Sequence, residues 1–306
     1  MSLKSPASSL TPRQLLIRLT KLTSTYSGLD ASLMLIQYSS PLVIALLLRL
    51  AALKTRFGGR SVRNGGKGGF GLRQLAEGWG KMGGGIGEAR VVFRAFGLLP
   101  ILTWLLSLHP HPIESLKSLL YKGVSLDSPK TLPTLQAISL LLYYPLEHLT
   151  WLASKGVVPL SEKRMGWAGL WSVRFWALYV LLDIYKLHQS YLSLLSRTKL
   201  LRNSKPEIKE EEAKGFELPP SPSSPVEPAA PSQNVVSSSD DRVSAKNVLR
   251  NDWKVWKNDV MINAGYAPLT VHWSTPGGLW SSPLIGGSLG VIAAIGRLTA
   301  EWRKGD

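Results

Sequence analysis

Residues 143–187, YYPLEHLTWLASKGVVPLSEKRMGWAGLWSVRFWALYVLLDIYKL, decide the fold class. Two long apolar segments are joined there by a short polar connection, Lys155 to Arg164. The second runs from about Gly166 to Tyr185 and carries Trp167, Trp171, Trp176 and Tyr179, with Arg174 and Asp183 as its only charges. A stretch of roughly 20 apolar residues is long enough to cross a bilayer, and Trp and Tyr suit the depth of the headgroups. The alternative is a buried hairpin in a soluble helical bundle. The two charges keep that alternative open, because each costs at least ~2.5 kcal/mol at the bilayer centre. At about 100° per residue their spacing puts Arg174 and Asp183 on opposite faces of one helix. Each therefore needs a partner on another helix, a headgroup or water. Glu147 and His148, on the first segment beside Trp151, read as a polar pair at a helix–helix contact or an interface.

The clearest single span lies further on, at 279–296, LWSSPLIGGSLGVIAAIG, which is uncharged. Ser282, Gly286, Gly290 and Ala294 recur every fourth residue, a stripe of small side chains that lets helices approach closely in a membrane. Trp280 and Trp302 flank it, and Arg297, Arg303 and Lys304 follow, which by the positive-inside rule places the C-terminus on the cytosolic side. Gly286 to Gly290 also spells G-x-S-x-G. A nucleophile elbow needs Asp and then His after the Ser, and no His follows Ser288, so the hydrolase reading is set aside.

Upstream, 88–108 (EARVVFRAFGLLPILTWLLSL) begins as a basic amphipathic helix with Arg90 and Arg94 on one face. Val91, Phe93 and Phe96, with Leu72, Leu75 and Trp79 just before them, give the makings of an in-plane membrane helix. Such a helix places rings and aliphatics at the acyl boundary and basic groups at phosphates. The uncharged run 95–108 is too short to span. Residues 57–87 read as a glycine-rich basic loop around a short helix, Leu72–Trp79. GKGGFG (66–71) within it matches G-x-G-x-x-G, but no strand precedes it and no βαβ unit surrounds it, so no dinucleotide site is expected. Residues 31–48 are uncharged but interrupted by Gln37 to Pro41. Proline kinks a helix interior, so a packed or interfacial helix is expected there. At the N-terminus, Thr11 caps a helix with Pro12 in its first turn, and Leu15, Leu16, Leu19 and Leu22 share a face. That stretch reads as an amphipathic surface helix or, being Ser-rich and acid-poor, as a mitochondrial presequence.

Between 206 and 241 seven Pro, eight acids and many Ser occur with only Lys209 and Lys214 as basic residues. This is a disordered linker by composition, with Ser221 and Ser224 before Pro as weak phosphorylation candidates. The resulting division is an N-terminal amphipathic region (1–125), an apolar hairpin (126–203), a linker (204–242) and a C-terminal helix with the span (243–306).

Composition narrows the function. The chain of 306 residues has no Cys, 44% hydrophobic residues and a net charge of +16. A mean hydropathy of +0.05 is too polar for a many-span transporter. No disulfide or thiolate metal site is possible, and no Asn-x-Ser/Thr acceptor occurs. Half of the charge excess lies between Arg49 and Arg94, where ten Lys/Arg face Glu77 and Glu88. A basic region among apolar helices points to anionic headgroups and not to nucleic acid. His109, His111 and Glu114 in HPHPIE do not converge as metal ligands should, so neither metal nor cofactor is expected, and no constellation supports an enzyme.

Four blocks in order resemble the peroxin-eleven (peroxisomal biogenesis factor eleven) family: GLDASLMLIQYSSPLV (28–43), EARVVFRAFGLLPIL (88–102), YYPLEHLTWL (143–152) with the basic loop and Trp-rich helix after it, and 267–302. The insertion at 58–87 and the linker at 206–241 depart from that pattern and point to a divergent, fungal-type member. The resemblance implies a non-enzymatic peroxisomal membrane protein acting in membrane elongation, proliferation and fission. It also implies homo-oligomerisation, recruitment of a dynamin-type fission machinery, and two spans. With no Ser-Lys-Leu at the end of the sequence, delivery would use basic-plus-apolar signals. The expected fold is all-α, about eight helices, and the expected mechanism is insertion of the basic amphipathic helices at 72–108 as wedges. The alternative function is a channel or small-metabolite transporter of a peroxisomal or mitochondrial membrane, with Glu147, His148, Arg174 and Asp183 lining a polar path.

Overall fold

The computed structural model describes residues 11–57, 71–122, 128–203 and 235–304. Among them are eight α-helices and no strand: α1 (Pro12–Ser24), α2 (Tyr26–Phe57), α3 (Leu72–Leu108), α4 (Pro112–Lys122), α5 (Thr131–Ser154), α6 (Glu162–Asn203), α7 (Val235–Ser274) and α8 (Pro283–Lys304). The fold is all-α. Two compact units are present, one formed by Met1–Ile184 with Asn258–Asp306 and the other by Tyr185–Lys257. Residues 66–70 of the GKGGFG stretch, and Ser221 and Ser224, lie outside the described residues. Helix α7 begins at Val235, inside the segment that composition reads as linker.

Local chemistry accounts for the ends of α1. The Thr11 hydroxyl accepts from the Gln14 amide at 3.3 Å, while the Gln14 side chain accepts from the Thr11 amide at 2.9 Å. This capping box occupies two of the donors a helix start leaves open. Thr25 then breaks the chain for one residue and its hydroxyl accepts from Gly28 at 3.1 Å, opening α2.

Two helices differ from the sequence expectation. The first is α2, which runs unbroken through Pro41. Ser39 and Ser40 donate back to the Ile36 carbonyl at 3.0 and 2.8 Å, the kind of local adjustment that makes an apolar helix tolerate proline. The second is α3, a single helix of 37 residues where a glycine-rich loop around a short helix is the expectation from sequence. Glycine costs about 1 kcal/mol per position in a helix interior, and packing against α2 offsets it. A Cβ at Gly83 would press on the Ser40 side chain, and one at Gly87 on the Gln37 amide. Bare backbone at these points lets α2 and α3 lie in close contact.

The core of the first unit is where α2, α7 and α8 meet. Met34, Ala293 and Ala294 are fully buried, with Leu35, Tyr38 and Tyr266 packed on them. On α8, Gly287 faces the Tyr38 carbonyl and Pro41, and a Cβ at Gly290 would occupy the Tyr38 ring. Gly265 of α7 sits as tightly against the Leu289 carbonyl and Ala293. Rings fill the remaining centre: Trp176 of α6 stacks on Tyr143 of α5 at 6.0 Å and on Trp273 of α7 at 5.7 Å, and meets Tyr266 edge-on at 5.2 Å. Gly156, with φ of 74°, turns α5 toward α6 in the left-handed conformation that glycine adopts without penalty.

The second unit is held by its own aromatic cluster. Tyr191 packs against Trp253 and Trp256 at 6.0 and 5.3 Å. Trp256 Nε1 donates to the Leu187 carbonyl at 3.0 Å, Trp253 Nε1 donates to Thr198 Oγ1 at 3.2 Å, and Arg197 pairs with Asp252 at 2.7 Å.

Among the described residues four helices are long and apolar enough to cross a membrane: α2, α3, α6 and α8. The sequence reading marked the segments within α6 and α8 and took those within α2 and α3 for packed or in-plane helices. Continuity through Pro41 and through the glycines of α3 supplies the missing length.

The tight face of α8 generates a stability prediction. Gly290→Leu should lower stability by about 1–3 kcal/mol through overpacking. Gly286→Ala should be close to neutral, because a Cβ there meets Leu269 and Trp280 at 3.8 and 3.9 Å. Thermal melting of both variants in detergent micelles measures the difference.

Candidate functional site

Several charged groups of the first unit point inward, while many of its large apolar side chains are exposed. Asp30, on the first turns of α2, is the hub. Its Oδ1 accepts from Arg90 Nε of α3 at 2.8 Å and its Oδ2 from Arg297 Nη1 of α8 at 2.6 Å. Asp30 and Arg90 are each 7% exposed at the side chain. Arg90 spends its remaining reach on Gln37 Oε1, 2.7 Å away. One turn along α3, Arg94 clasps Glu147 of α5 with two parallel bonds of 2.6 and 2.7 Å, and Tyr143 donates to the same carboxylate at 3.1 Å. Such forked pairs hold geometry as well as charge. Between these groups lies a cavity of about 530 Å³, lined by the three arginines, by aromatic rings including Tyr26, Tyr144 and Trp273, and by Glu88. Glu88 is itself bonded to Lys155 at 2.8 Å, and both of those side chains are well exposed.

The residues marked from sequence separate into distinct places. Of the set read as membrane-binding, Arg90 is buried and Arg94 half-buried, both committed to carboxylates. Val91 lines the cavity. Leu72, Trp79 and Phe93 are half-buried, while Leu75 and Phe96 are exposed, Phe96 at 66%. With Val92, Leu99, Leu102 and Leu106, these two make a long apolar outer face on α3. Of the small-residue stripe, Gly290 and Ala294 are in the core and Gly286 makes ordinary contacts. Ser282 precedes α8 and is half-buried. The closest approaches on α8 are at Gly290 of the stripe and at Gly287 and Gly296 outside it.

The four polar residues of the hairpin do not form one path. Glu147 lines the cavity, whereas Asp183 accepts from Gln136 and Asn263 at 3.3 and 2.7 Å. The Arg174 guanidinium lies over the Trp171 ring at 5.0 Å. His148 Nδ1 bonds to the Tyr144 carbonyl at 2.6 Å. Sequence reasoning missed Asp30 and Gln37 and saw Arg297 only as a flanking charge. The available signal was position: Asp30 and Arg297 each stand at the end of an uncharged apolar run, where a charge is held by a partner or faces water.

Two short helices carry a different character. On α1, Leu15, Leu16, Ile17 and Leu19 are exposed, Leu16 at 66%, while Leu22 is buried. Arg13, Arg18 and Lys21 lie on the same helix. On α4, Ile113 and Tyr121 are exposed.

An inward polar network, an outward apolar surface and spans of sufficient length define a helical membrane protein. Residues 111–250 match the family Peroxisomal biogenesis factor 11 (PEX11). Over those 140 of its 306 residues the chain is similar to a peroxisomal biogenesis factor. The match starts just before α4 and ends within α7, running through the Pro-rich segment; the blocks at 28–43, 88–102 and 267–302 lie outside it. No curated protein and no solved structure matches the chain.

Loss of one partner in a buried ion pair strands the other charge. Asp30→Asn should therefore cost about 3–5 kcal/mol, whereas Glu88→Gln, in an exposed pair, should cost within about 1 kcal/mol. Melting temperatures of the two purified variants, compared with the parent protein, test the contrast.

Proposed function

We propose that this protein remodels the peroxisomal membrane in organelle elongation, proliferation and fission. The helical bundle anchors it, and short basic amphipathic helices wedge into one leaflet. The observation that carries this reading is α1, whose Leu15, Leu16 and Leu19 are exposed on a helix that also bears Arg13, Arg18 and Lys21. Apolar side chains at the acyl boundary with basic groups at phosphates describe an in-plane helix, and each basic group adds about 1 kcal/mol near an anionic surface. Helix α1 packs on α2 and α8, so its wedge is tied to the anchor. In this reading α3 serves as part of the anchor. Its arginines are engaged inside the bundle, and its outer face, with Phe96 and Leu99, meets lipid chains. The family match over 111–250 supports the peroxisomal setting. Homo-oligomers concentrating the wedges, and a dynamin-type machinery completing fission, belong to the same proposal.

Leu16→Asp with Leu19→Asp should abolish tubulation of anionic liposomes while leaving insertion and helical circular dichroism unchanged. Phe96→Asp should instead lower the inserted fraction. Normal tubulation by the α1 variant, with tubulation lost and insertion intact in the Phe96 variant, would move the wedge to α3. In cells, the tagged parent protein should ring peroxisomes and lengthen them with dose; mitochondrial signal with unchanged peroxisomes would overturn the proposal.

A further inference from the structure

The central cavity holds more positive charge than its acids neutralise. Arg90, Arg94 and Arg297 line it, and the carboxylates that answer them are Asp30 and Glu147. Glu88 does not complete the balance, because its carboxylate pairs with Lys155. Asp183 does not either; its oxygens are taken by Gln136 and Asn263, and it is not part of the lining. One cation thus has no carboxylate of its own, in a cavity set among helices with exposed apolar faces, and an anion entering there would complete the pairing.

The donors that would bind one are also present. All of the bonds from Arg297 leave from Nη1, to Asp30, Tyr266 and Met34, so Nε and Nη2 have no partner among the described residues. The Arg297 side chain is 27% exposed, against 7% for Asp30. Arg94 uses Nε and Nη2 on Glu147 and leaves Nη1 without a partner among the described residues. The volume of about 530 Å³ falls in the range of small-molecule sites, roughly 300–1,000 Å³.

We infer that the cavity is a binding site for a monoanionic oxyanion, a phosphate or carboxylate group, held by Arg297 and Arg94 and flanked by the rings of Tyr144 and Trp273. Two sources supply that chemistry, the headgroup of a bilayer lipid or a small soluble anion. The inference does not depend on the remodelling reading, since it concerns the bundle interior and not α1. Its failure and the failure of that reading show in different assays.

The test uses the full-length protein purified in a non-ionic, phosphate-free detergent. Dihexanoyl phosphatidylglycerol, inorganic phosphate, acetate and uncharged dihexanoyl glycerol are titrated in turn, and tryptophan fluorescence and melting temperature are read. The expected result is saturable binding of at least one anion with a rise in melting temperature, and none for the uncharged lipid. Binding of the anionic lipid alone assigns a headgroup; competition by phosphate or acetate assigns a soluble anion. Arg297→Gln should weaken binding by about tenfold or more. Because Arg297 also braces Asp30, a second variant is needed. Gly84 lines the cavity and has open space at its Cβ, so Gly84→Leu should fold normally and block entry, weakening binding without loss of stability. Absence of saturable binding to the parent protein, or equal binding to Gly84→Leu, overturns the inference.

Discussion

Asp30 is the group on which the arrangement of the first unit depends. It is one carboxylate on α2, and it receives Arg90 from α3 and Arg297 from α8. In an apolar surrounding a carboxylate or a guanidinium left alone is far costlier than any single contact in the core. Each of the three helices therefore has one rotation and one height at which its charge is answered. The second clasp, Arg94 with Glu147, repeats the constraint between α3 and α5. Apolar packing alone would not choose among neighbouring registers so sharply, because lipid chains are as good a solvent for leucine as another helix is.

Close packing is the other half of that constraint. Arg90 of α3 reaches α2 because Gly83 and Gly87 let the two backbones approach, and Arg297 reaches Asp30 because Gly287 and Gly290 admit Pro41 and Tyr38. The glycines thus act with the ion pairs, setting the distance across which the charged groups can bond. This also explains why α3 is a helix at all. Its glycines are poor helix formers in isolation, and the contacts they permit exist only once α2 is beside them.

The division of labour within the molecule follows from where polarity sits. Polar groups turned inward leave an apolar exterior on α2, α3, α6 and α8 that suits hydrocarbon. Amphipathic residues left outward on α1 suit the boundary between hydrocarbon and water. In the proposed reading an anchor and a wedge are built from the same residue types, Leu and Arg, distinguished by which side of the helix faces the bundle.

The sequence by itself determined the all-helical class, the capped start of α1, and the apolar segments of α6 and α8. These are local: a capping box spans four residues, Thr11 to Gln14, and an uncharged apolar run is visible in the order of residues alone. Tertiary structure alone decided that α3 is continuous, that Pro41 does not break α2, and that Arg90 and Arg94 pair with carboxylates inside the bundle. It also decided that Glu147 and Asp183 belong to separate networks. Each of these turns on partners far apart in the chain, as Asp30 and Arg297 are. A guanidinium is equally well satisfied by a carboxylate or a phosphate, and a glycine is equally at home in a loop or against a neighbouring backbone. Which partner it meets is set by packing between helices, and residue type and spacing carry no record of that.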